Sequence, residues 1–446
     1  MFRTESDLLG DVQVPADALF GAQTQRAIVN FPLKNERTIG SYPRLIEALL
    51  RVKQAAALTN ARGGFLKPEI SEAICKAADA VIAEKRFDAF PIHRLHGGGG
   101  TSANMNANEV LANLAEEALG GRRGEYKIVH PNDHVNLHQS TNDVYPTACH
   151  IAIFRQCAEF NYSMGAFLSS LTTNVAQLAG EVRIARTCLQ DAVDSTFGDL
   201  FGGYVTLIAR SVYRVNLAAD RLHAVNLGGT AIGRASDAPQ SYRDGVIAAL
   251  RETTGDAAFA LNPNLFDAAQ NPDDMIAVSA ELNLLARALI KICKDLRLLS
   301  SGPEAGLGEI RLPAVQPGSS MMPGKINPVI PEFAIQLCMQ AIGCHTVCEM
   351  ALDHGELDLN VWESAIVFNI LDAMELLSAA MDALGEKCLR GLQPVSDRNA
   401  RHADSIVPLL TRLMQQHGYA RINAICKEAK GDPQRIRELL RNSGLL

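Results

Sequence analysis

Apolar residues recur at three- and four-residue spacing through the middle of the chain, which is the pattern of amphipathic helices. The segment 272–300 shows this clearly, and Pro272, Asp273 and Asp274 favour a helix start because acidic residues are stabilised at the positive end of the helix dipole. Seven apolar residues of this segment share one helical face: Met275, Val278, Leu282, Leu285, Leu289, Ile292 and Leu296. The pattern predicts five long helices, at roughly 147–179, 197–225, 272–300, 329–353 and 363–391.

Helices of about 25–30 residues far exceed the mean of roughly 11–12 residues in globular proteins. Each of them needs packing partners along its whole length, so the fold class is mainly α and the architecture is an elongated helical bundle. The apolar faces are more extensive than one chain can cover. We therefore expect an oligomer in which helices pack across subunits.

Shorter elements flank this central region. Helices are predicted at 43–61 and 69–85, and again after about residue 394 at 401–417, 420–429 and 433–442. The chain is thus expected to have three parts: a mixed, mostly helical domain over 1–140, a helical-bundle domain over 141–394, and a small helical domain over 395–446.

Composition narrows the possible functions. The chain has 446 residues, 47% of them hydrophobic and 20% charged, with a net charge of −7. No basic face is visible, so a nucleic-acid partner is not expected. The ten cysteines form no C-x-x-C pair and most lie in apolar stretches, which favours a reducing cytoplasm over a disulfide framework. The charged N-terminus does not resemble a signal peptide, and no stretch is expected to approach the roughly 20 apolar residues of a membrane span.

The segment 313–328, PAVQPGSSMMPGKINP, is the most distinctive in the chain. Its prolines and glycines cannot continue either of the long helices around it. It also carries four polar residues with chemical potential: Ser319, Ser320, Lys325 and Asn327. A solvent loop is the default interpretation, but Met321 and Met322 favour a loop that closes over a ligand.

Three further segments carry polar groups near predicted helix ends. Ser140, Thr141 and Asn142 precede a long helix, where they could bind an anion or act as plain helix caps. Thr101 precedes a run of asparagines, Asn104, Asn106 and Asn108, which suggests buried hydrogen bonding as readily as catalysis. The segment 186–191 lies between two long helices and is a candidate pocket wall containing Thr187 and Cys188.

A metal site is conceivable at His130, His134 and His138, which are four residues apart. However, Pro131 interrupts a helix from His130, and no carboxylate or cysteine completes a ligand set at suitable spacing. Structural histidines are therefore the preferred interpretation, and no metal is expected.

Together these motifs resemble the aspartase/fumarase superfamily. The resemblance rests on GSSMMPGKINP (318–328), on HPNDHVN followed by QSTNDVYPT, and on GGGTSANMNANEVLANLA (98–115), which occur in the superfamily's order. Within the superfamily the chain looks most like aspartases. The resemblance implies a homotetramer with a twenty-helix core, active sites shared between three subunits, a small dicarboxylate substrate and no cofactor.

The resemblance also implies the chemistry. Ammonia would leave L-aspartate by anti elimination, giving fumarate, with Ser319 as the general base. The aci-carboxylate intermediate would be held by fixed donors on Thr101, Ser140, Thr141 and Ser320. Lys325 and Asn327 would bind the other carboxylate, and Asn142 and Thr187 would contact the amino group. Glu332 matches a supporting carboxylate of some members.

The chain departs from the family at several positions. Cys188 stands where His or Gln is usual, and Asp194, Arg234 and Glu304 replace Pro, Thr and Arg. A C-terminal family segment is also not recognisable near 415–418. These departures keep three alternatives open: a fumarate hydratase, a lyase for an N-substituted or otherwise modified aspartate, and a non-catalytic relative. The hydratase is disfavoured because a histidine at position 188 would help hydroxide leave, and the non-catalytic relative because Ser319 and Lys325 remain. Arg234 could bind an extra anionic group or form a surface ion pair.

Overall fold

The computed structural model describes residues 1–33 and 37–446 and is dominated by helices. In chain order these are α1 Ala22–Asn30, α2 Pro43–Arg62, α3 Pro68–Ala83, α4 Thr101–Ala118, α5 Thr141–Leu178, α6 Phe197–Asp220, α7 Gln240–Thr254, α8 Leu265–Gln270, α9 Asp273–Leu299, α10 Val329–Asp353, α11 Glu363–Leu384, α12 Ser396–Ala403, α13 Ile406–His417, α14 Tyr419–Glu428 and α15 Pro433–Asn442. The mainly α fold class is confirmed.

The five predicted long helices are all present as α5, α6, α9, α10 and α11. The face predicted on α9 is buried at each of its seven positions: Met275, Val278, Leu282, Leu285, Leu289, Ile292 and Leu296. The three- and four-residue spacing therefore reports real core contacts.

One predicted helix was wrong. The segment 401–417 is not continuous, because α12 ends at Ala403 and α13 begins at Ile406. Ser405 has extended backbone angles at the start of α13, and Pro408 lies in the first turn, where the missing proline N–H costs no helical hydrogen bond.

Four two-stranded sheets accompany these helices: β1 Phe2–Asp7 with β2 Gly10–Pro15, β3 Val182–Thr187 with β4 Gln190–Thr196, β5 Ala224–Val225 with β6 Ala260–Leu261, and β7 Ile310–Arg311 with β8 Gln393–Pro394. The β3–β4 pair is an antiparallel hairpin in which Thr187 lies opposite Gln190. The sequence analysis treated this segment only as a polar connection between helices.

The chain forms two compact units, and each boundary between them falls within a long helix. The first unit comprises 1–161, 213–284 and 339–376, and the second comprises 162–212, 285–338 and 377–446. In the first unit, α2 packs against α3, α4 and α7. In the second unit, α12 and α13 pack against the β3–β4 hairpin, and a small apolar core joins α13, α14 and α15.

Within the described residues, the stretch Glu363–Leu389 is long and apolar enough to cross a membrane by length and composition. The expectation that no stretch approaches that composition was wrong for this segment. In the structure, 61% of its most apolar window is buried, and the core helix of a soluble protein passes the same test.

The turn before α4 requires glycine. Gly98, Gly99 and Gly100 have φ values of 86°, 57° and 82°, in the left-handed region that side chains disfavour. Gly100 is also crowded, since a Cβ built there would lie 2.4 Å from the ring of Tyr145. The start of α4 therefore fits against α5 only without a side chain at this position.

We predict that Gly100→Ala destabilises the protein more than Gly120→Ala does. Gly120 follows the other end of α4 with φ 88° and has open space at the Cβ position, so alanine there adds only left-handed strain of about 1–2 kcal/mol. Alanine at residue 100 adds the same strain and an overlap that costs about 1–3 kcal/mol more. Urea unfolding measures both variants, and equal losses would contradict the crowding at Gly100.

Candidate active site

The first turns of α4 and α5 lie side by side in the first unit. The side-chain amide of Asn104, one turn into α4, donates to the hydroxyl of Thr141 at the start of α5 over 3.0 Å. Thr101, the first residue of α4, is exposed, and Thr141 is half-buried. The first N–H groups of a helix have no partner within the helix and carry partial positive charge. Two adjacent helix starts thus form a surface suited to a carboxylate.

Ser140 caps α5. Its hydroxyl oxygen accepts the Asn142 N–H at 3.2 Å, and its own N–H donates to the Asp143 carboxylate at 3.0 Å, which is the reciprocal arrangement of a capping box. The side-chain amide of Asn142 donates to the carbonyl of Ala231 at 2.8 Å. The capping interpretation is therefore correct, and the Ser140 hydroxyl hydrogen is still available to a ligand because the oxygen acts as acceptor.

A buried polar network lies beneath these helix starts. The ammonium of Lys53, on α2, is fully buried and donates to the side-chain oxygens of Asn136 and Gln139, each at 2.9 Å. The Asn136 oxygen also accepts from the amides of Asn104 and Asn108, each at 3.2 Å. The network connects α2 and α4 to the segment that leads into Ser140, so it fixes the candidate donors in place.

Burial changes the titration of this network. It lowers the pKa of Lys53 to about 7, partly offset by the Asp143 carboxylate, because a low-dielectric surrounding disfavours the ammonium. Burial likewise raises the pKa of Asp143 to about 6, opposed by N–H donors from Thr230, Gly228 and Ser140. Sequence reasoning missed Lys53, although a lone lysine on the apolar face of α2 is a usable signal.

The asparagines and histidines singled out from the sequence have structural partners. Asn104, Asn106 and Asn108 are buried, and the Asn106 amide donates to the carbonyl of Ala89 at 3.0 Å. His134 Nδ1 accepts the backbone N–H of His130 at 2.8 Å, and Nδ1 of His138 lies 2.7 Å from the side-chain oxygen of Asn60. Among residues 1–33 and 37–446, no group of three or more potential ligands is placed to hold a metal ion.

The segment 313–328 forms a loop between β7 and α10 in the second unit, as predicted. The hydroxyl oxygen of Ser319 accepts two backbone N–H groups, from Met321 and Met322, each at 3.1 Å. The loop is closed at its base, where the Gly318 N–H donates to the Lys325 carbonyl at 2.8 Å and the Asn327 amide donates to the Gly318 carbonyl at 2.9 Å. Ser319 therefore sits where negative charge on its oxygen would meet two fixed donors.

The loop lines an open pocket of about 470 Å³, whose lining includes Ser319, Met322 and Lys325. Ser320 is exposed, and so are Met321 and Met322, at 87% and 52% of their surface. Two adjacent exposed methionines leave apolar surface available to a ligand, so this finding agrees with a loop that closes over a ligand.

Thr187 and Cys188 lie at the tip of the β3–β4 hairpin. Cys188 and Leu189 form its two-residue turn with φ values of 53° and 61°, a conformation that usually selects asparagine or glycine. Both Thr187 and Cys188 are exposed, and Cys188 is the exposed member among the ten cysteines of the described chain. Cys188 is therefore not packed as a small apolar side chain within the described chain.

Two further candidates have surface partners. Glu332, in the first turn of α10, lies 3.4 Å from the guanidinium of Arg297. Arg234 lies 3.3 Å from the carboxylate of Asp237, with 65% of its side chain exposed. The structure thus favours the surface ion pair for Arg234 over an anion-reading role.

Comparisons with known proteins identify the class. A lyase family model matches residues 10–343. An aspartate ammonia-lyase from Pseudomonas fluorescens is 41% identical over 446 residues, covering 100% of this chain and 93% of the relative. A class II fumarate hydratase from Ralstonia nicotianae is 40% identical over 438 residues, covering 98% and 94%.

Solved structures agree with the sequence relatives. The crystal structure of a fumarate lyase:delta crystallin from Brucella melitensis bound to cobalt superposes with a TM-score of 0.96 at 42% identity, covering 100% of this chain and 96% of that one. These matches define a helical lyase. The chain belongs to this lyase family, within the aspartase/fumarase superfamily and close to the aspartases, and it is an enzyme of the carbon–nitrogen lyase kind.

We predict that Lys53→Met lowers the free energy of unfolding by about 1–3 kcal/mol at pH 7, because the oxygens of Asn136 and Gln139 lose their shared donor. Lys76→Met is the matched control, since Lys76 pairs with Glu72 at a site where both side chains are mostly exposed. That variant should stay within about 0.5 kcal/mol of the wild type.

The loss at Lys53 should also depend on pH. Between pH 7 and 10.5 the unfolded lysine binds a proton that the folded amine has released, so the contribution of Lys53 to stability rises with pH. Urea unfolding at pH 7 and at about pH 9 should show the gap between wild type and Lys53→Met widening at the higher pH. A constant or narrowing gap would show that the folded lysine stays charged.

Proposed function

We propose that the enzyme is an ammonia-lyase that converts L-aspartate reversibly to fumarate and ammonia. The observation that supports this most directly is the pair of N–H groups, from Met321 and Met322, that point at the hydroxyl oxygen of Ser319. A serine is a poor base unless its alkoxide is stabilised, and fixed donors around its oxygen meet that requirement.

In the proposed reaction the Ser319 alkoxide removes a proton from the carbon beside one carboxylate of aspartate. The electron pair moves into that carboxylate and gives a dianionic aci-carboxylate. The pair then returns to form the C=C bond as the C–N bond breaks on the opposite face. The substrate ammonium departs as neutral ammonia and needs no proton from the enzyme.

The aci-carboxylate carries the most negative charge along this path, so it needs the most donors. We assign this role to the hydroxyls of Thr101, Ser140, Thr141 and Ser320. The two helix starts that carry Thr101 and Thr141 add the positive ends of their dipoles. Hydrogen bonds from these donors strengthen as negative charge develops on the carboxylate oxygens. They therefore stabilise the transition state more than the bound substrate and lower the reaction barrier.

The remaining roles follow from charge and hydrogen bonding. Lys325 and Asn327 are assigned to the carboxylate that does not react, as a cation and an amide donor. Asn142 and Thr187 are assigned to the amino group, with Cys188 beside it at the hairpin tip. Glu332 is assigned a supporting role, in which its ion pair with Arg297 anchors the start of α10 next to the 313–328 loop. No cofactor takes part in the proposed reaction.

We further propose a homotetramer with a twenty-helix core and active sites shared between three subunits, built from domains 1–140, 141–394 and 395–446. Large apolar side chains on the long helices support this assembly. Tyr213 and Leu217 of α6 are 67% and 53% exposed, and Met339 and Met350 of α10 are each 57% exposed. Such residues on long helices are expected to be covered by another subunit.

Two alternative reactions remain for experiment. A fumarate hydratase is supported by the Ralstonia nicotianae relative, but hydroxide is a poor leaving group and a thiol at position 188 is only a weak hydrogen-bond donor. A lyase for an N-substituted aspartate is supported by the exposed cysteine at the hairpin tip, which leaves more room than His or Gln beside the amine.

We predict that purified protein releases fumarate and ammonia in equal amounts from L-aspartate, with neither added metal nor nucleotide. The assay measures fumarate by absorbance and ammonia by a coupled enzyme, with L-malate and N-substituted aspartates tested in parallel. Dehydration of L-malate with no reaction of L-aspartate would establish the hydratase instead. Reaction of N-substituted aspartates alone would establish the modified-aspartate lyase.

We predict that Ser319→Ala lowers kcat by at least about 10²–10⁴-fold, the range that a positioned base contributes. Ser300→Ala is the control, because the hydroxyl of Ser300, which follows α9, donates to the carbonyl of Arg297 in that helix and lies outside the 313–328 loop. Both variants should keep the thermal midpoint of the wild type. If Ser319→Ala retained most of the activity, the base would have to be a different group.

We predict that Cys188→His slows bulky N-substituted aspartates more than aspartate itself. The thiol is small and a weak hydrogen-bond partner, whereas imidazole would fill the space beside the amine and supply an acid or base. Steady-state kinetics with both substrate classes measure the ratio. An equal effect on all substrates would reject the roomier pocket at this position.

A further inference from the structure

Among the contacts of the hairpin that carries Thr187 and Cys188 is one with a fully buried carboxylate, that of Glu309. Glu309 has no exposed surface and lies immediately before β7. Its two carboxylate oxygens accept hydrogen bonds from the two terminal nitrogens of Arg186, at 2.6 and 3.1 Å. Arg186 is the residue before Thr187, so this bidentate pair holds β3 one residue from the hairpin tip.

A third group completes the contact from the C-terminal part of the chain. Nδ1 of His402, on α12, lies 2.8 Å from the same carboxylate oxygen that Arg186 approaches at 2.6 Å. An ionised carboxylate only accepts hydrogen bonds, so His402 carries its proton on Nδ1 whether or not the ring is charged. Glu309 is thereby bonded to the hairpin on one side and to the C-terminal helix on the other.

The backbone of Glu309 is held as firmly as its side chain. Its N–H donates to the Leu299 carbonyl at the end of α9 over 2.8 Å. Its carbonyl accepts the N–H of Val395 at 2.9 Å and the side-chain amide of Asn399 at 3.0 Å. A carboxylate on such a fixed backbone can position its partners, because it has little freedom to follow them.

Burial makes this contact specific. A carboxylate without exposed surface is costly unless it is paired and hydrogen-bonded, and a bidentate guanidinium supplies both charge and direction. An ion pair between the C-terminal helices and the hairpin, Arg412 with Asp194 at 3.2 Å, leaves 42% and 50% of the two side chains exposed. Exposed pairs of that kind contribute little.

We propose that Glu309 is a positioning residue for the amino-group side of the active site, and that His402 couples the C-terminal domain to it. Glu309, bonded to Arg186 and His402, fixes the hairpin so that Thr187 and Cys188 meet the amino group of the substrate. The identity of the substrate in this proposal rests on the proposed ammonia-lyase function. The positioning of the hairpin rests only on the contacts described above.

The test uses His402→Leu, which removes the donor, and His402→Asn, whose side-chain amide can present an N–H where Nδ1 lies. Loss of a hydrogen bond to a charged group is worth roughly a tenfold change in affinity. His402→Leu should therefore raise KM for L-aspartate about tenfold with a smaller change in kcat, and His402→Asn should restore most of it. Arg412→Ala is the matched control and should leave KM unchanged.

Inhibition by succinate separates positioning from general damage. Succinate has both carboxylates but no amino group, so its inhibition constant should be unchanged in His402→Leu. Glu309→Gln should show a larger rise in KM for L-aspartate if it folds. If KM and the succinate constant rise together, or if His402→Leu leaves KM unchanged, the proposal is wrong.

Hydrogen exchange gives a readout that does not depend on activity. Backbone amides of residues 182–196 should exchange faster in His402→Leu than in the wild type or Arg412→Ala, because the carboxylate of Glu309 that holds Arg186 has lost its second partner. Unchanged exchange would overturn the positioning role. If the wild type does not act on L-aspartate, the proposed function fails by itself, and hydrogen exchange still decides whether Glu309 and His402 position the hairpin.

Discussion

The backbone hydrogen bonding of long helices constrains where this protein can place its chemistry. Inside a helix every N–H and C=O is already paired, and donors remain free only in the first turn. The candidate donors obey that constraint. Thr101 opens α4, Ser140 and Thr141 open α5, and the loop with Ser319 leads directly into α10. Long helices provide rigidity along their length, while their starts and the loops before them provide the reactive surface.

The candidate donors and the hairpin are held in position by hydrogen bonds from buried polar groups. Lys53 reaches Asn136 and Gln139 from α2, and Glu309 holds Arg186 beneath the hairpin. Each places a charged group where an apolar side chain would be less costly, which is a usual sign of a specific structural demand. In both places a hydrogen-bond partner of the buried group directly precedes a residue assigned to the substrate: Gln139 precedes Ser140, and Arg186 precedes Thr187.

Much of the fold and part of the site could be predicted from the sequence. The helical period located all five long helices and the buried face of α9, because those features depend on local spacing alone. The motif at 318–328 located the loop and Ser319. The network at Lys53 escaped prediction, because its members are 83 and 86 residues away in sequence. The β3–β4 hairpin escaped as well, since Cys188 and Leu189 are not the residues that normally announce a tight turn.

Two of the positions at which the chain departs from the family pattern share one element of the proposed site, whereas Arg234 and Glu304 lie outside it. Cys188 and Asp194 both lie on the β3–β4 hairpin, which we assign to the amine. The C-terminal helices α12 and α13 pack on that same hairpin. Proton removal and charge stabilisation are common to every substrate of such a lyase, so those groups have little freedom to vary. The leaving group differs between substrates, and specificity can therefore change at the hairpin and its supports without disturbing the base.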